Sequence, residues 1–143
     1  MTKLVWCANT SLEINPEFDH YLASASDDKT IKIWHAESGK LHHTFTNHTD
    51  EIVALEFCRT GEFLASAGAD KFCYIWKIVK PSKSKKSKNI NADFPVHQYQ
   101  SGVPLLALNW NNGGERIAIG GNNGLLTIID LSGSTSISYM DNP

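Results

Sequence analysis

The 143-residue sequence has little of what a membrane or secreted protein requires. No stretch approaches the roughly 18 consecutive apolar residues of a membrane span, and the N-terminal "MTKLVWCANT" lacks the long apolar core of a signal peptide. The three cysteines contain no CxxC pair and are odd in number, which fits a reducing compartment better than a disulfide framework. We therefore expect a soluble, intracellular protein that does not bind membranes.

What the chain does contain is an ordinary globular composition. Hydrophobic residues make up 41% and charged residues 20%, which predicts a folded chain with room for one domain. The formal net charge of -2 is unevenly distributed, because five of the thirteen basic residues fall between Lys80 and Lys88. The rest of the chain is therefore acidic in balance.

Two thirteen-residue segments of the chain have nearly the same sequence. "LASASDDKTIKIW" runs from Leu22 to Trp34, and "LASAGADKFCYIW" runs from Leu64 to Trp76, so that equivalent positions lie 42 residues apart. Repeats of roughly 40 to 45 residues are typical of the blades of β-propellers.

Each unit reads as a series of short strands. "EIVALEF", "FLASAG" and "FCYIW" alternate or carry β-branched and aromatic residues, and "KLHHTF" and "FPVHQY" are the candidate fourth strands of the first two units. A degenerate third unit reads "PLLALNW", "RIAIGG", "LLTIIDL" and "SISYM". We predict an all-β fold of three four-stranded antiparallel blades, a partial propeller.

The third unit keeps the repeat only if an insertion precedes it. Its counterpart of Trp76 is Ile129, which lies 53 residues later, and the eleven extra residues match the tract "KPSKSKKSKNI". The predicted blades are residues 1–46 with an insertion at 8–20, residues 47–100 with a Lys/Ser-rich insertion at 80–93, and residues 101–143.

Four polar or aromatic residues of the second unit have spacings that suggest one buried network. His48 precedes Asp70 by 22 residues, while Ser66 and Trp76 lie four before and six after it. A carboxylate bonded to an imidazole, the imidazole to a hydroxyl, and the hydroxyl to an indole N–H would satisfy all four groups. The predicted network residues in the two units are His48, Ser66, Asp70 and Trp76, and Ser24, Asp28 and Trp34.

These residues resemble the motif of the WD-repeat family of β-propellers. The family's Gly-His pair reads "NH" at Asn47 and His48, and its Trp-Asp pair reads "WH" at Trp34 and "WK" at Trp76. The third unit carries Ser101, Ile119, Asn123 and Ile129 at these positions, so apolar packing must replace the network there. The resemblance implies a non-enzymatic module that needs no cofactor and whose rims dock other proteins.

A narrower resemblance concerns the first loop and the last blade. The long first loop, the strand "VHQYQSGVPLLALNW" and the ending "GGNNGLLTIIDL" resemble the last three blades of transducin beta-like (Ebi-like) corepressor subunits. That likeness implies a nuclear scaffold for histone deacetylase complexes, with corepressor subunits and histones as partners. Dynein intermediate chains also end in a degenerate blade, which implies the alternative of a cytoplasmic structural or cargo-binding subunit.

The chemical alternatives are less well supported by the sequence. His42 and His43 are neighbours whose side chains lie on opposite faces of a strand, with no cysteine at ligand spacing, so we expect no metal site. His48, Ser66 and Asp70 include the residue types of a catalytic triad, but the resemblance makes them structural. Asp27 and Asp28 suit a tight turn, and "GGNNG" suits a hairpin because it lacks the lysine and helix of a phosphate loop.

Partner contacts are expected at one rim of the blades. The lysine tract has no interleaved aromatic residues, so direct nucleic-acid binding is not expected, although nuclear import remains open. Both insertions, Ala8 to His20 and Lys80 to Asp93, are predicted to emerge on one rim. The candidate partner-binding residues lie on the other: Asp27, Lys29, Asn47, Thr49, Asp50, Glu51, Ala69 and Lys71.

Three blades do not make a ring. Propellers close with roughly four to eight blades, and a repeat unit cannot bury its faces alone. We therefore expect either upstream blades in a longer protein or a second copy of the chain to complete the ring.

Overall fold

The computed structural model describes residues 3–6, 21–35, 38–59, 61–78, 95–131 and 135–140, with the backbone alone at 3–6 and 135–140. The regular structure in these ranges is β-strand, and no helix there could cross a membrane. The strands are β1 (Lys3–Trp6), β2 (Tyr21–Ala25), β3 (Ile31–His35), β4 (Leu41–Phe45), β5 (Ile52–Phe57), β6 (Phe63–Gly68), β7 (Phe72–Lys77), β8 (His97–Gln100), β9 (Leu105–Trp110), β10 (Arg116–Gly121), β11 (Leu125–Asp130) and β12 (Thr135–Met140).

The strands form three four-stranded antiparallel sheets in chain order. Sheet 1 contains β1 to β4, sheet 2 contains β5 to β8, and sheet 3 contains β9 to β12. The predicted all-β architecture is therefore confirmed. Both predicted insertions, 8–20 and 80–93, lie outside the described residues, and the fourth strand of sheet 2 begins at His97, three residues later than "FPVHQY".

Alternation along the strands gives each sheet two distinct faces. In sheet 2, Leu64 pairs with Trp76 and Ser66 with Tyr74 on one side, which we call the tryptophan face. Ala65 pairs with Ile75 and Ala67 with Cys73 on the other side, which we call the alanine face. The tryptophan faces of sheets 1 and 3 are Leu22, Ser24, Lys32 and Trp34, and Ile117, Ile119, Thr127 and Ile129. The alanine faces are Ala23, Ala25, Ile31 and Ile33 in sheet 1, and Ala118, Gly120, Leu126 and Ile128 in sheet 3.

The core consists of two layers, one on each side of sheet 2. In the first, the alanine face of sheet 1 packs on the tryptophan face of sheet 2, with Phe45 stacked on Trp76 at 4.1 Å between ring centroids. In the second, the alanine face of sheet 2 packs on the tryptophan face of sheet 3. Small residues such as Ala65 and Ala67, both fully buried, allow this close approach. The first strands β1, β5 and β9 adjoin one another in the same order.

Equivalent turns in the three sheets share an unusual backbone conformation. Lys29, Lys71 and Gly124 each follow an Asp or Asn at the same position of the repeat, with φ values of 70°, 75° and 82°. These φ values lie in the left-handed region, which favours glycine and which other residues adopt mainly at tight turns. The side chains of Asp28, Asp70 and Asn123 stabilise the turns by accepting backbone N–H bonds two residues on.

Candidate functional site

The second unit contains a continuous chain of side-chain hydrogen bonds. His48 Nδ1 lies 2.9 Å from Asp70 Oδ2, and His48 Nε2 lies 2.7 Å from Ser66 Oγ. The Ser66 hydroxyl oxygen also accepts a bond from Trp76 Nε1 at 3.1 Å. These are the four residues that the sequence spacing placed together, and they join a loop, a turn and two strands.

Burial controls the electrostatics of this network. Ser66 and Trp76 are fully buried, and His48 lies edge-on against the ring of Tyr74. Removal from water lowers the pKa of His48 below its usual 6.5, and the attraction of the Asp70 carboxylate opposes this more weakly. Neutral imidazole is therefore favoured in the folded chain.

Asp70 also joins two segments of one rim. Its Oδ2 accepts from the backbone N–H of Thr49 at 3.0 Å, and its Oδ1 accepts from that of Phe72 at 3.1 Å. The N–H of Ala69 donates to the carbonyl of Glu51 at 2.8 Å. The loop 47–51 and the turn 69–71 are thus held as one preformed surface.

Gly68, at the end of β6, is a network residue that the repeat comparison did not identify. A Cβ atom there would lie 2.6 Å from Asp70 Oδ1 and 2.8 Å from His48 Nδ1, closer than real Cβ contacts. The first unit carries Ser26 at this position. The network therefore requires glycine beside it.

The first unit keeps only part of the arrangement. Trp34 Nε1 donates to Ser24 Oγ at 2.9 Å, and both side chains are half-buried. Asp28 is exposed and accepts from the N–H and hydroxyl of Thr30, and these bonds lower its pKa. Among the described residues, the hydrogen bonds of Asp28 lie within the turn.

The third unit replaces the network by packing, as its sequence suggests. Ile119 and Ile129 lie in the core between sheets 2 and 3. Asn123 Oδ1 accepts from the N–H of Leu125 at 3.1 Å, and the buried Ser101 Oγ accepts from that of Val103 at 3.3 Å. The side chains of Ser101 and Asn123 therefore stabilise local turns.

Most candidate rim residues are accessible. Asp27, Lys29, Thr49, Asp50, Glu51 and Lys71 are exposed, whereas Asn47 and Ala69 are partly buried. The antiparallel order places the turns 27–29 and 69–71 and the loop 47–51 at the same end of their sheets. Partner binding at this rim stays a prediction.

The structure places the remaining chemical candidates in ordinary surroundings. His42 packs against Tyr21 and His35 with ring centroids 5.2 and 5.0 Å away, while His43 packs against Phe45. Among the described residues, no group of three or more His, Cys, Asp or Glu side chains could hold a metal ion. The "GGNNG" segment forms the turn between β10 and β11.

Two further features lie outside the repeat motif, and one of them agrees with the composition, since cysteines without a disulfide pattern are expected to be small buried hydrophobic residues. Trp110 Nε1 donates to the carbonyl of Glu56 at 3.0 Å, which joins β9 to β5 across two sheets. Cys73 is fully buried in the second core layer, and burial raises the pKa of its thiol to about 12. A thiol in this state is structural rather than reactive.

Comparison with known families gives two matches along the chain. The model of the "WD domain, G-beta repeat" family matches residues 3–35 and 39–77, which is about half of the chain. These ranges include both quoted repeats and the whole network of the second unit.

Two individual proteins are similar over most of the chain. A "Coronin-like protein" of Saccharomyces cerevisiae is 29% identical over 107 residues, which are 75% of this chain and 15% of that protein. The crystal structure of the β-propeller domain of Cps50 (Swd1) from Myceliophteria thermophila superposes with a TM-score of 0.67 at 18% identity, over 83% of this chain and 34% of that one. The second likeness supports the propeller fold alone, and this chain spans only a small part of either protein.

Proposed function

Because the chain belongs to the WD-repeat family, we propose that it works as a non-catalytic scaffold whose rim at residues 27–29, 47–51 and 69–71 docks partner proteins. WD-type propellers are typically interaction scaffolds, and the function of such a fold depends on its surfaces. The candidate catalytic set favours this interpretation, because Ser66 is fully buried and its hydroxyl already bridges His48 and Trp76.

The observation that carries the proposal is the fixed geometry of the rim. The Asp70 carboxylate accepts hydrogen bonds from the backbone N–H groups of Thr49 and Phe72. The same carboxylate also contacts the buried ring of His48. The side chains of Asp50, Glu51 and Lys71 project from this fixed backbone and are exposed. A preformed surface loses little conformational entropy on binding, which favours affinity.

Charge reversal on the rim tests the proposal. The variant Glu51→Lys changes an exposed side chain that has no part in the network, and Glu115→Lys is the matched control in a turn at the opposite rim. We expect partners captured by the wild-type chain, identified by mass spectrometry, to be lost with Glu51→Lys and retained with Glu115→Lys. Equal capture by both variants would contradict docking at this rim.

We further propose a nuclear context, as a subunit of a histone deacetylase corepressor complex acting in transcriptional repression. What supports it is the resemblance of the long first loop and the final blade to Ebi-like subunits. The Cps50 match supports the propeller fold, and neither it nor the coronin-like match discriminates between contexts.

The identity and location of the captured proteins test this context. Nuclear localisation together with deacetylase or corepressor subunits, or histones, among the rim-dependent partners is the expected result. Cytoplasmic localisation with motor subunits would instead favour the dynein intermediate chain alternative, which the degenerate third sheet also suits.

A further inference from the structure

The two outer sheets each leave one face uncovered in the described structure. On sheet 2, Leu64, Ser66 and Trp76 are all fully buried, whereas their counterparts Leu22, Ser24 and Trp34 on sheet 1 are only partly buried. At the other end, Cys73 of sheet 2 is fully buried, whereas its counterpart Leu126 on sheet 3 is 42% exposed. Equivalent positions of the repeat thus differ in exposure between the middle sheet and the outer sheets.

Both contacts inside the chain follow one rule. An alanine face of one sheet packs on the tryptophan face of the next, first between sheets 1 and 2 and again between sheets 2 and 3. The two uncovered faces are the tryptophan face of sheet 1 and the alanine face of sheet 3. They are the two complementary halves of the contact that the chain already makes twice.

We propose that a second copy of this chain covers both faces. The alanine face of sheet 3 in each copy packs on the tryptophan face of sheet 1 in the other, so two identical contacts close a six-sheet ring. Such head-to-tail contacts form closed rings when the rotation permits, and six lies within the range of propeller blade numbers. The inference does not depend on the proposed function of the rim.

The indole on the uncovered tryptophan face already has a hydrogen-bond partner. Trp34 Nε1 donates to Ser24 Oγ at 2.9 Å, so covering this pair would leave no indole donor without a partner. Lys32 lies on the same face, across from Ser24.

The opposite face carries small residues at the positions that allow close approach inside the chain. Ala118 and Gly120 occupy the positions of Ala65 and Ala67, which allow close approach inside the chain, and Ile128 occupies that of Ile75. A Cβ atom added at Gly120 would meet nothing within 4 Å, so this surface is open. The faces that must meet between two copies therefore resemble those that meet within one, with Leu126 in place of Cys73 and Lys32 in place of Tyr74.

The solution mass of the full chain, measured by light scattering during size exclusion, tests the proposal. We expect twice the 15.8 kDa of one chain, independent of concentration above the dissociation range. Each contact joins sheet 3 of one copy to sheet 1 of the other, so Leu126→Glu or Leu22→Lys in both copies places a charge in both contacts. Each of these variants should therefore have the mass of one chain. Val96→Glu is the matched control. Val96 is 44% exposed and lies directly before β8, where its N–H donates to the carbonyl of Ile75 in sheet 2, so this variant should keep the doubled mass.

Mixing the two monomeric variants gives the sharpest result. A mixed pair has one wild-type contact and one contact with Glu on one side and Lys on the other, so a 1:1 mixture should recover the doubled mass. Circular dichroism checks that each variant keeps its β-sheet spectrum, and Leu126→Ala and Leu22→Ala replace any variant that does not. A wild-type mass of one chain, a mass that grows with concentration, heterogeneous aggregates or failure of the mixture to recover would each overturn the proposal.

Discussion

Ser66 is the residue on which two other buried polar side chains depend. Its hydroxyl contacts His48 Nε2 and accepts from Trp76 Nε1. Within the described part of the chain, the equivalent Ser24 accepts only from Trp34, at a half-buried site. We expect Ser66→Ala to lower the free energy of unfolding by about 2–3 kcal/mol, because two buried groups lose a partner, and Ser24→Ala to lower it by less than about 1 kcal/mol. Urea unfolding of both variants measures this, and equal losses would contradict the buried network.

The protonation of His48 links stability to pH. Because burial lowers its pKa in the folded chain, the unfolded chain binds the proton more readily as the pH falls below the usual value of 6.5. The contribution of His48 is therefore fully present above that pH and is lost as the pH falls toward the folded pKa. We expect the urea midpoint of the wild type to fall between about pH 7.5 and 5.5.

The variant His48→Asn separates this effect from those of the other histidines. It should be less stable than the wild type at pH 7.5, because the network is broken, but its midpoint should depend less on pH over the same range. A wild-type midpoint that rises as the pH falls would show that the folded chain favours the charged imidazole.

At the scale of the elements, the turn between β6 and β7 and the loop before β5 depend on Gly68. Its backbone passes so close to His48 and Asp70 that a methyl group would displace one of them, whereas a methyl group at Gly102 would meet nothing within 4 Å. We expect Gly68→Ala to lower the free energy of unfolding by about 1–3 kcal/mol through overpacking, and Gly102→Ala to change it little. Thermal unfolding monitored by circular dichroism compares the two, and a tolerated Gly68→Ala would contradict the close packing.

The strands themselves were largely predictable from the sequence. Their alternating patterns and the turn residues after Asp28 and Asp70 are local signals, and the 42-residue period gave the order of the sheets. The spacing of His48, Ser66, Asp70 and Trp76 also predicted which side chains meet, because the resemblance supplied the topology that brings them together.

Contacts between sheets were not predictable in the same way. The stack of Phe45 on Trp76 and the bond from Trp110 to the Glu56 carbonyl depend on how two sheets are oriented, which no local pattern encodes. Asp28 shows the converse limit. Its repeat position matches that of Asp70, yet among the described residues it bonds only within its own turn. The docking role of the rim stays a prediction, since exposure alone does not identify a partner.

At the scale of the whole molecule, sheet 2 differs from its neighbours because both of its faces are covered. Of the described residues, Ala65, Ala67 and Cys73 on one side and Leu64, Ser66 and Trp76 on the other are fully buried. Sheets 1 and 3 each have only one such face. The stacked arrangement therefore predicts a gradient of local stability with its maximum in the middle sheet.

Amide hydrogen exchange read by mass spectrometry tests this arrangement most directly. The dilute Leu126→Glu variant is the best sample, because its outer faces are expected to remain uncovered. We predict that peptides covering β5 to β7 exchange slowest, and those covering β2 to β3 and β10 to β11 faster. Exchange in sheet 2 that is as fast as in either outer sheet would contradict an arrangement of three stacked blades with the middle one enclosed.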